Sequence, residues 1–216
     1  MKPKAILFDL DGTLLDTAAD LGIAINNLLL QESVPPLSFE VIRANASLGS
    51  KVWIKLGLNV DEDHKSFKKL RTRLLQFYSQ NIATETRLFP GMETVLQTLE
   101  TRNIPWGIVT NKPKKYTKKL LRALKLKYNP NCVVSGDTLK KAKPHPEPVL
   151  HACKLLDKNP SECYFIGDSN IDITAGKAAG VFAIAALYGY IPTNEDPQAW
   201  LANAYIQSPI EILDLL

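Results

Sequence analysis

The sequence is poor in the features that mark exported and membrane-bound proteins. It has only three cysteines, which form no Cys-x-x-Cys pair: Cys132, Cys153 and Cys163. This odd, small number favours reduced thiols in the cytoplasm over a disulfide framework. The longest apolar stretches, such as residues 181–187, are far shorter than a bilayer span, and the first residues are a strand-like run followed by acids instead of a signal segment. We therefore expect a cytoplasmic protein with no membrane partner.

The excess of basic over acidic residues is also small, since the formal net charge is +4. Lysines and arginines concentrate in residues 65–73 and 112–127, where they alternate with apolar residues at roughly helical spacing. This pattern is typical of the solvated faces of amphipathic helices. Nucleic-acid binding is disfavoured because no exposed aromatic residues are interleaved with the basic ones. Attraction of a small phosphorylated substrate by these basic residues remains an open alternative.

The chain is longer than one typical domain and shorter than two, which favours one core with a sizeable insertion. Strand-like apolar segments alternate with helical patterns through its second half. Strands are predicted at 5–8, 106–109, 132–134, 164–166 and 182–185, and helices at 92–102, 114–124, 147–156 and 172–179. This alternation predicts an α/β fold with a doubly wound parallel sheet.

Residues 16–82 break the alternation. They contain an amphipathic helix, a Pro35-Pro36 stop, further helical stretches and a long basic helix. We predict that they form an all-helical cap domain over the carboxyl edge of the sheet. The core domain would then consist of residues 1–15 and 83–216.

The most informative motif, Asp9-Leu10-Asp11-Gly12-Thr13, directly follows the first predicted strand. It places two carboxylates and a glycine turn at the carboxyl end of that strand, where the ligands of such sheets gather. Two acids so close in sequence repel each other when both are ionised, and a divalent cation removes this cost. Mg²⁺ is the natural candidate because it prefers hard oxygen ligands and works with a few carboxylates plus substrate phosphate.

Polar groups also follow the predicted strand at 106–109. Thr110, Asn111 and Lys112 supply a hydroxyl, an amide and an ammonium group, all of which bind phosphate in proteins. Threonine and asparagine in loops more often satisfy local backbone groups, however. The pair alone is therefore weak evidence for a phosphate site.

Two later signals lie at comparable places in the predicted fold. Lys143 lies on a proline-stiffened stretch that opens a helix, although a lone lysine is more often a surface residue. Asp168 and Asp172 lie at a strand-to-helix turn. Asp172 is also an acid in the first turn of a helix, where it stabilises the helix, and the two roles are compatible.

Joined in order, these pieces resemble the four motifs of the haloacid dehalogenase superfamily of phosphohydrolases. The matching positions are Asp9-Leu10-Asp11-Gly12-Thr13, Thr110, Lys143, and Gly167-Asp168 with Asp172. The resemblance spans nearly the whole chain, including the cap. Other segments look like the phosphoglycolate phosphatase branch: 88–91, 109–113, 136–139 and 188–190. The tail at 189–200, with residues 106–107 and 152–154, also looks like the related N-acetylmuramic acid 6-phosphate phosphatases.

The resemblance implies magnesium-dependent hydrolysis of a small phosphorylated metabolite of the phosphoglycolate type, or alternatively of N-acetylmuramic acid 6-phosphate or another sugar phosphate. A carboxylate attacks phosphorus only when the charge on the phosphoryl oxygens is offset, here by Mg²⁺ and Lys143. We assign Asp9 as the nucleophile that forms an aspartyl-phosphate, and Asp11 as the acid and base that serves the leaving alcohol and the attacking water.

The remaining roles follow from the same resemblance. Thr110, Asn111 and Lys143 are expected to bind the phosphoryl group. The expected metal ligands are the Asp9 side chain, the backbone carbonyl of Asp11 and Asp168, together with water. Asp172 is expected to lie outside the metal's ligands, where it orients the site or supports Lys143.

Four other functions share parts of this pattern. Asp11 favours phosphoryl transfer over dehalogenation, which needs no second acid in this motif, whereas phosphomutases share both acids and stay open. A signalling receiver domain is disfavoured because its acid pair precedes a separate phosphorylated aspartate near mid-chain, with no large helical insert. A catalytically silent binding module is disfavoured because it would be expected to have lost Asp9, Asp11, Lys143 or Asp168.

Specificity is expected to come from the cap. Residues 47–51 form a small, polar break between helical stretches, and either Lys51 or Arg43 is a candidate to pair with a substrate carboxylate. A plain connection between two helices accounts for the same residues equally well. Whether the protein is a monomer or a homodimer stays open.

Overall fold

A computed structural model describes residues 2–216. Its eight strands are β1 Ala5–Phe8, β2 Leu15–Asp16, β3 Arg87–Leu88, β4 Trp106–Val109, β5 Cys132–Val134, β6 Cys163–Gly167, β7 Phe182–Ala186 and β8 Ala204–Ile206. Six of them form one sheet in the order β5-β4-β1-β6-β7-β8, and every neighbouring pair in it is parallel. The predicted doubly wound parallel sheet is confirmed.

Eight α-helices accompany the strands within residues 2–216: α1 Ala18–Gln31, α2 Phe39–Ala44, α3 Gly49–Leu58, α4 Phe67–Gln80, α5 Met92–Thr101, α6 Lys114–Leu124, α7 Glu147–Leu155 and α8 Asn170–Ala179. Short 3₁₀ turns lie at 46–48, 160–162, 197–200 and 209–215. None of the helices in this part of the chain has both the length and the apolar character needed to cross a membrane.

The central strand β1 is buried on both faces, as its unbroken apolar sequence predicts. Because successive side chains of a strand point to opposite faces, Ile6 and Phe8 pack in one hydrophobic cluster while Ala5 and Leu7 pack in another. The five sheet strands that the sequence predicted are all present. The sixth, β8, is an edge strand of three residues, of which only Ile206 is buried, and it is too short to stand out as an apolar run.

The four helices α1 to α4 follow one another between β2 and β3, where the sequence predicted an all-helical insert. Their buried side chains, including Leu28, Trp53 and Leu74, belong to the same hydrophobic cluster as Ile6 and Phe8 of the sheet. At the base of this helical segment β2 and β3 pair antiparallel, with Asp16 opposite Arg87. The two chain crossings into and out of the helices are thus held side by side.

Tyr190, in the loop after β7, holds the segment where the chain enters α1. Its buried hydroxyl accepts hydrogen bonds from the backbone N–H groups of Thr17 (2.6 Å) and Ala18 (2.9 Å) and donates one to Asp16 Oδ1 (2.6 Å). The first N–H groups of a helix have no partner within the helix. A side chain far away in sequence therefore caps the start of α1.

We expect Tyr190→Phe to lower the free energy of unfolding by about 1–3 kcal/mol, because it leaves two buried N–H groups and the Asp16 carboxylate without their partner. Chemical denaturation measures this loss. Tyr205→Phe is the matched control, since that hydroxyl makes its hydrogen bonds to Ala202 N and Gln198 O in a more exposed place. Equal losses in the two variants would contradict the role of Tyr190.

Candidate active site

The carboxyl ends of β1 and β6 bring the first and last sequence motifs together. The two strands pair in register, and the backbone N–H of Asp9 continues the ladder to Ile166 O at 2.8 Å. Asp9 directly follows β1, and Asp168 directly follows β6. Both residues therefore lie at one edge of the sheet. Gly12 makes the close approach possible: its φ is +95°, and a Cβ there would lie 2.1 Å from Asp168 Oδ2.

Lys143 lies at the centre of the site. Its Nζ donates to Asp9 Oδ1 (2.7 Å), Asp172 Oδ1 (2.5 Å) and the backbone oxygen of Val109 (2.8 Å). Its side chain is only 3% exposed. Burial by itself would lower the pKa of Lys143, but Asp172 and Asp9 outweigh it, so the net shift is upward and the ammonium stays charged. All three hydrogen-bonding positions of the ammonium group are used.

Three buried acids face one another beside this lysine. Asp9, Asp168 and Asp172 each offer a carboxylate oxygen, and these oxygens lie within 4.8 Å of one another. Burial, only partly offset by Lys143, and repulsion from Asp172 raise the pKa of Asp9 to about 7. Burial and the charges of Asp9 and Asp172 also raise the pKa of Asp168 well above its usual value. The cluster thus holds more negative charge than one lysine neutralises.

The donor chemistry of this cluster fits Mg²⁺. All three groups are hard oxygen donors, and their mutual repulsion is the kind that a bound dication relieves. Asp168 is held in place by Thr13 Oγ1 (3.0 Å) and by the backbone N–H of Tyr190 (2.8 Å). Both oxygens of Asp172 are engaged, one by Lys143 and the other by Ser169.

The carboxylate of Asp11 points to a different partner. Lys112 Nζ contacts both of its oxygens, at 2.7 and 3.0 Å, and lies 4.6 Å from the centre of the Tyr78 ring on α4. Burial by itself would lower the pKa of Lys112, but Asp11 outweighs it and the net shift is upward. The sequence placed Lys112 among the polar groups of its loop without indicating this contact, because the two residues are 101 positions apart.

Thr110 and Asn111 lie at the end of β4, as predicted, and both border the same cavity. The Asn111 side chain accepts from the backbone N–H of Lys143 (3.0 Å) and donates to its carbonyl oxygen (2.9 Å). The Thr110 hydroxyl accepts from the backbone N–H of Lys112 at 3.1 Å. Both side chains satisfy backbone groups, as such residues often do. Asn111 thereby fixes the segment that carries Lys143, and Thr110 fixes its own loop at Lys112.

A cavity of about 410 Å³ lies between the sheet edge and the helical segment. Of the residues predicted for the site, all but one line it: Asp9, Asp11, Thr110, Asn111, Lys143 and Asp172. Asp168 is fully buried behind them.

The helical side of the cavity includes the predicted polar break at residues 47–51. Lys51 pairs with Glu62 at 2.6 Å and is more than half exposed. Arg43 pairs instead with Asp16 at 2.8 Å and is absent from the cavity wall. Arg71 of α4, which no sequence pattern distinguishes from its basic neighbours, also lines the cavity.

The raised pKa of Asp9 predicts a pH dependence of stability in metal-free protein. The folded chain keeps the Asp9 proton up to a pKa of about 7, whereas the ordinary value is 3.8. Between these values the folded state binds more protons, so the contribution of Asp9 to stability is fully present at low pH and is lost as pH rises toward 7. We expect the Asp9→Asn variant, measured in chelator by chemical denaturation, to gain a few kcal/mol relative to the parent between pH 5 and pH 8.

The exposed Asp63 provides the control, since Asp63→Asn should differ from the parent by the same amount at both pH values. A difference between Asp9→Asn and the parent that does not change with pH would contradict the shifted titration of Asp9.

Comparison with known proteins identifies relatives over almost the whole chain. An N-acetylmuramic acid 6-phosphate phosphatase from Pseudomonas putida is 34% identical over 212 residues, which cover 98% of this chain and 95% of the relative. A phosphoglycolate phosphatase from Xanthomonas campestris pv. campestris is 35% identical over 210 residues, covering 97% and 95%. The crystal structure of a predicted phosphoglycolate phosphatase from Haemophilus somnus 129PT matches with a TM-score of 0.87 at 26% identity, covering 100% of this chain and 98% of that one.

The family model for haloacid dehalogenase-like hydrolases matches residues 6–186. This range contains the three acids of the cluster, Lys143 and the helical segment between β2 and β3. The sequence motifs, the sheet and the relatives agree, and the chain belongs to the haloacid dehalogenase-like hydrolase family.

Proposed function

We propose that the protein is a magnesium-dependent phosphatase that hydrolyses a small phosphate monoester of the phosphoglycolate type through an aspartyl-phosphate. The observation that carries the proposal is the position of Asp9 at the floor of the cavity, with Lys143 Nζ 2.7 Å from one of its oxygens and two further buried acids beside it. Its relatives are phosphatases, which supports assigning the chain to the phosphoric monoester hydrolases.

Asp9 is the nucleophile in this proposal. One of its carboxylate oxygens attacks phosphorus, and the bond between phosphorus and the oxygen of the leaving alcohol breaks. Lys143, charged and close to Asp9 Oδ1, offsets the negative charge that would otherwise keep two anions apart. Thr110 and the backbone of Asn111, which border the same cavity, bind the phosphoryl oxygens.

Asp11 transfers the protons. It gives a proton to the departing alkoxide, and it then takes one from the water that attacks the aspartyl-phosphate and regenerates Asp9. Lys112, which contacts both Asp11 oxygens, orients this carboxylate in the wall of the cavity that Asp9 also lines. Asp9 and Asp11 are thus held by different lysines, Lys143 and Lys112, which suits their distinct roles.

Asp9, the backbone carbonyl of Asp11 and Asp168 would hold Mg²⁺, with Asp172 supporting Lys143 from behind. The bound ion supplies positive charge that neutralises the acids and the phosphoryl oxygens. Asp172 is suited to a supporting role because Lys143 and Ser169 already occupy its two oxygens.

The helical segment acts as the cap of this proposal, with residues 16–82 as the cap domain and residues 1–15 and 83–216 as the core. It covers the cavity and keeps bulk water from the reacting groups. We further propose a cytoplasmic enzyme, monomeric or homodimeric, and three buried free cysteines support the reducing compartment.

A second candidate substrate is N-acetylmuramic acid 6-phosphate, the substrate class named for the Pseudomonas putida relative. The cavity volume of about 410 Å³ favours it, because this volume exceeds what a two-carbon acid needs. Both candidates are phosphate monoesters that also carry a carboxylate.

We expect the purified protein to release inorganic phosphate from para-nitrophenyl phosphate with Mg²⁺, to lose the activity in chelator and to regain it when Mg²⁺ is restored. Asp9→Asn should reduce kcat by about a thousandfold or more, because an amide oxygen is a poor nucleophile. Asp63→Asn, an exposed acid of the helical segment, is the control and should keep full activity. Full activity in Asp9→Asn would remove Asp9 from its role.

A further inference from the structure

We propose that Arg71 is a specificity-determining residue that binds a carboxylate on the leaving group of the substrate, and that this leaving group is larger than glycolate. The inference rests on the proposed phosphatase function, and it favours the second candidate substrate, a larger ester that carries a carboxylate, over phosphoglycolate. It assigns the cavity two anion sites of different purpose: one beside Lys143 for the phosphoryl group, and one on the helical side for a second acid.

The cations around the cavity differ in whether the protein already neutralises them. Four of them line it within the described chain, and three have an acidic partner there: Lys143 with Asp9 and Asp172, Lys112 with Asp11, and Lys51 with Glu62. Arg71 makes no ion pair with any acidic side chain in residues 2–216. Its charge is therefore available to a ligand.

The guanidinium of Arg71 is oriented but not saturated. Its Nε donates to Ser50 Oγ of α3 at 3.0 Å, and this contact fixes the plane of the group between two helices of the cap. The two terminal nitrogens make no hydrogen bond within the described residues. A guanidinium held by Nε presents the paired terminal nitrogens that match a carboxylate. Arg71 is also half-buried, which strengthens such a pair relative to one in open water.

The walls between the two anion sites are largely apolar. Leu21, Trp53, Leu74 and Leu75 from the cap and Ile171 from the core line the cavity. Its volume of about 410 Å³ lies within the range of roughly 300–1,000 Å³ that pockets for larger organic ligands occupy. A leaving group of only two carbons would fill only a small part of a cavity of this volume and would cover little of the apolar surface that these side chains turn toward it. A leaving group with its own apolar surface would cover them.

The two cations first considered from the sequence are less suited to this task. Lys51 is paired with Glu62 and more than half exposed, so a ligand would have to displace an internal partner. Arg43 is paired with Asp16 and lies over the rings of Tyr190 and Phe89, at the junction of the two chain crossings. Arg71 alone among these three combines a place on the cavity wall with an unpaired charge.

The test compares two esters that differ by one lactyl ether group, which carries a carboxylate. N-acetylmuramic acid 6-phosphate carries a lactyl ether with a carboxylate, and N-acetylglucosamine 6-phosphate lacks it. We expect the parent protein to prefer the acidic ester by about tenfold or more in kcat/KM, and Arg71→Met to abolish that preference. Arg71→Met keeps the apolar stem of the side chain and removes the charge. Arg71→Lys should restore part of the preference.

Lys69→Met is the matched control, because Lys69 is an exposed cation of the same helix and is absent from the cavity wall. It should leave both esters unaffected. Calorimetric titration of the acidic ester into the inactive Asp9→Asn background adds a readout independent of turnover, and there Arg71→Met should weaken binding by about tenfold.

Several outcomes would overturn the inference. An equal loss for both esters in Arg71→Met, with a lowered melting temperature, would make Arg71 a structural link to Ser50 only. A parent protein that hydrolyses phosphoglycolate and rejects both larger esters would disprove the large leaving group. If the parent releases no phosphate from any ester, para-nitrophenyl phosphate included, the proposed phosphatase function itself fails. The binding titrations in the Asp9→Asn background would still show whether Arg71 binds the carboxylate of the acidic ester.

Discussion

The contact of Lys143 with Asp9 and Asp172 is the interaction on which the site depends. Three buried acids within a few ångströms of one another cannot all be charged without a cation, and Lys143 is the cation that the chain itself supplies. Truncating one partner of such a buried pair leaves the other uncompensated, which is far more costly than the net worth of the pair. The remaining negative charge makes the cluster receptive to a dication. Burial and, to a lesser extent, the charge of Asp172 raise the pKa of Asp9.

Several contacts of the surrounding fold hold these charged groups in place. The parallel register of β1 and β6 fixes Asp9 against Asp168, Gly12 permits the close approach, and Asn111 clamps the backbone of Lys143 through two hydrogen bonds. Contacts of the same kind tie the helical segment to the core. Tyr190 bonds both to Asp168 through its backbone and to the start of α1 through its hydroxyl, so one residue links the acid cluster to the helical segment.

The cations that line the cavity differ between its sheet side and its helical side. Near the sheet, the two cations that line the cavity, Lys112 and Lys143, are matched by acids of the chain. On the helical side Arg71 has no acidic partner within the described residues, and apolar side chains line the same cavity. This division suits the proposed function, in which the phosphoryl chemistry is common to many phosphate esters and the helical segment recognises the leaving group.

The sequence by itself determined the parallel α/β core and the residues of the floor. Unbroken apolar runs such as Ala5–Phe8, alternating with helical patterns, favour strands covered on both faces, and polar residues directly after parallel strands meet at one edge of the sheet. What only the tertiary structure decided are contacts between residues far apart in the chain: Lys112 with Asp11, Tyr190 with the start of α1, and the unpaired state of Arg71. Arg71 has the same local sequence signature as its exposed basic neighbours. Whether a charge is neutralised depends on which side chains the packing of helices brings near it, and helical periodicity carries no information about that.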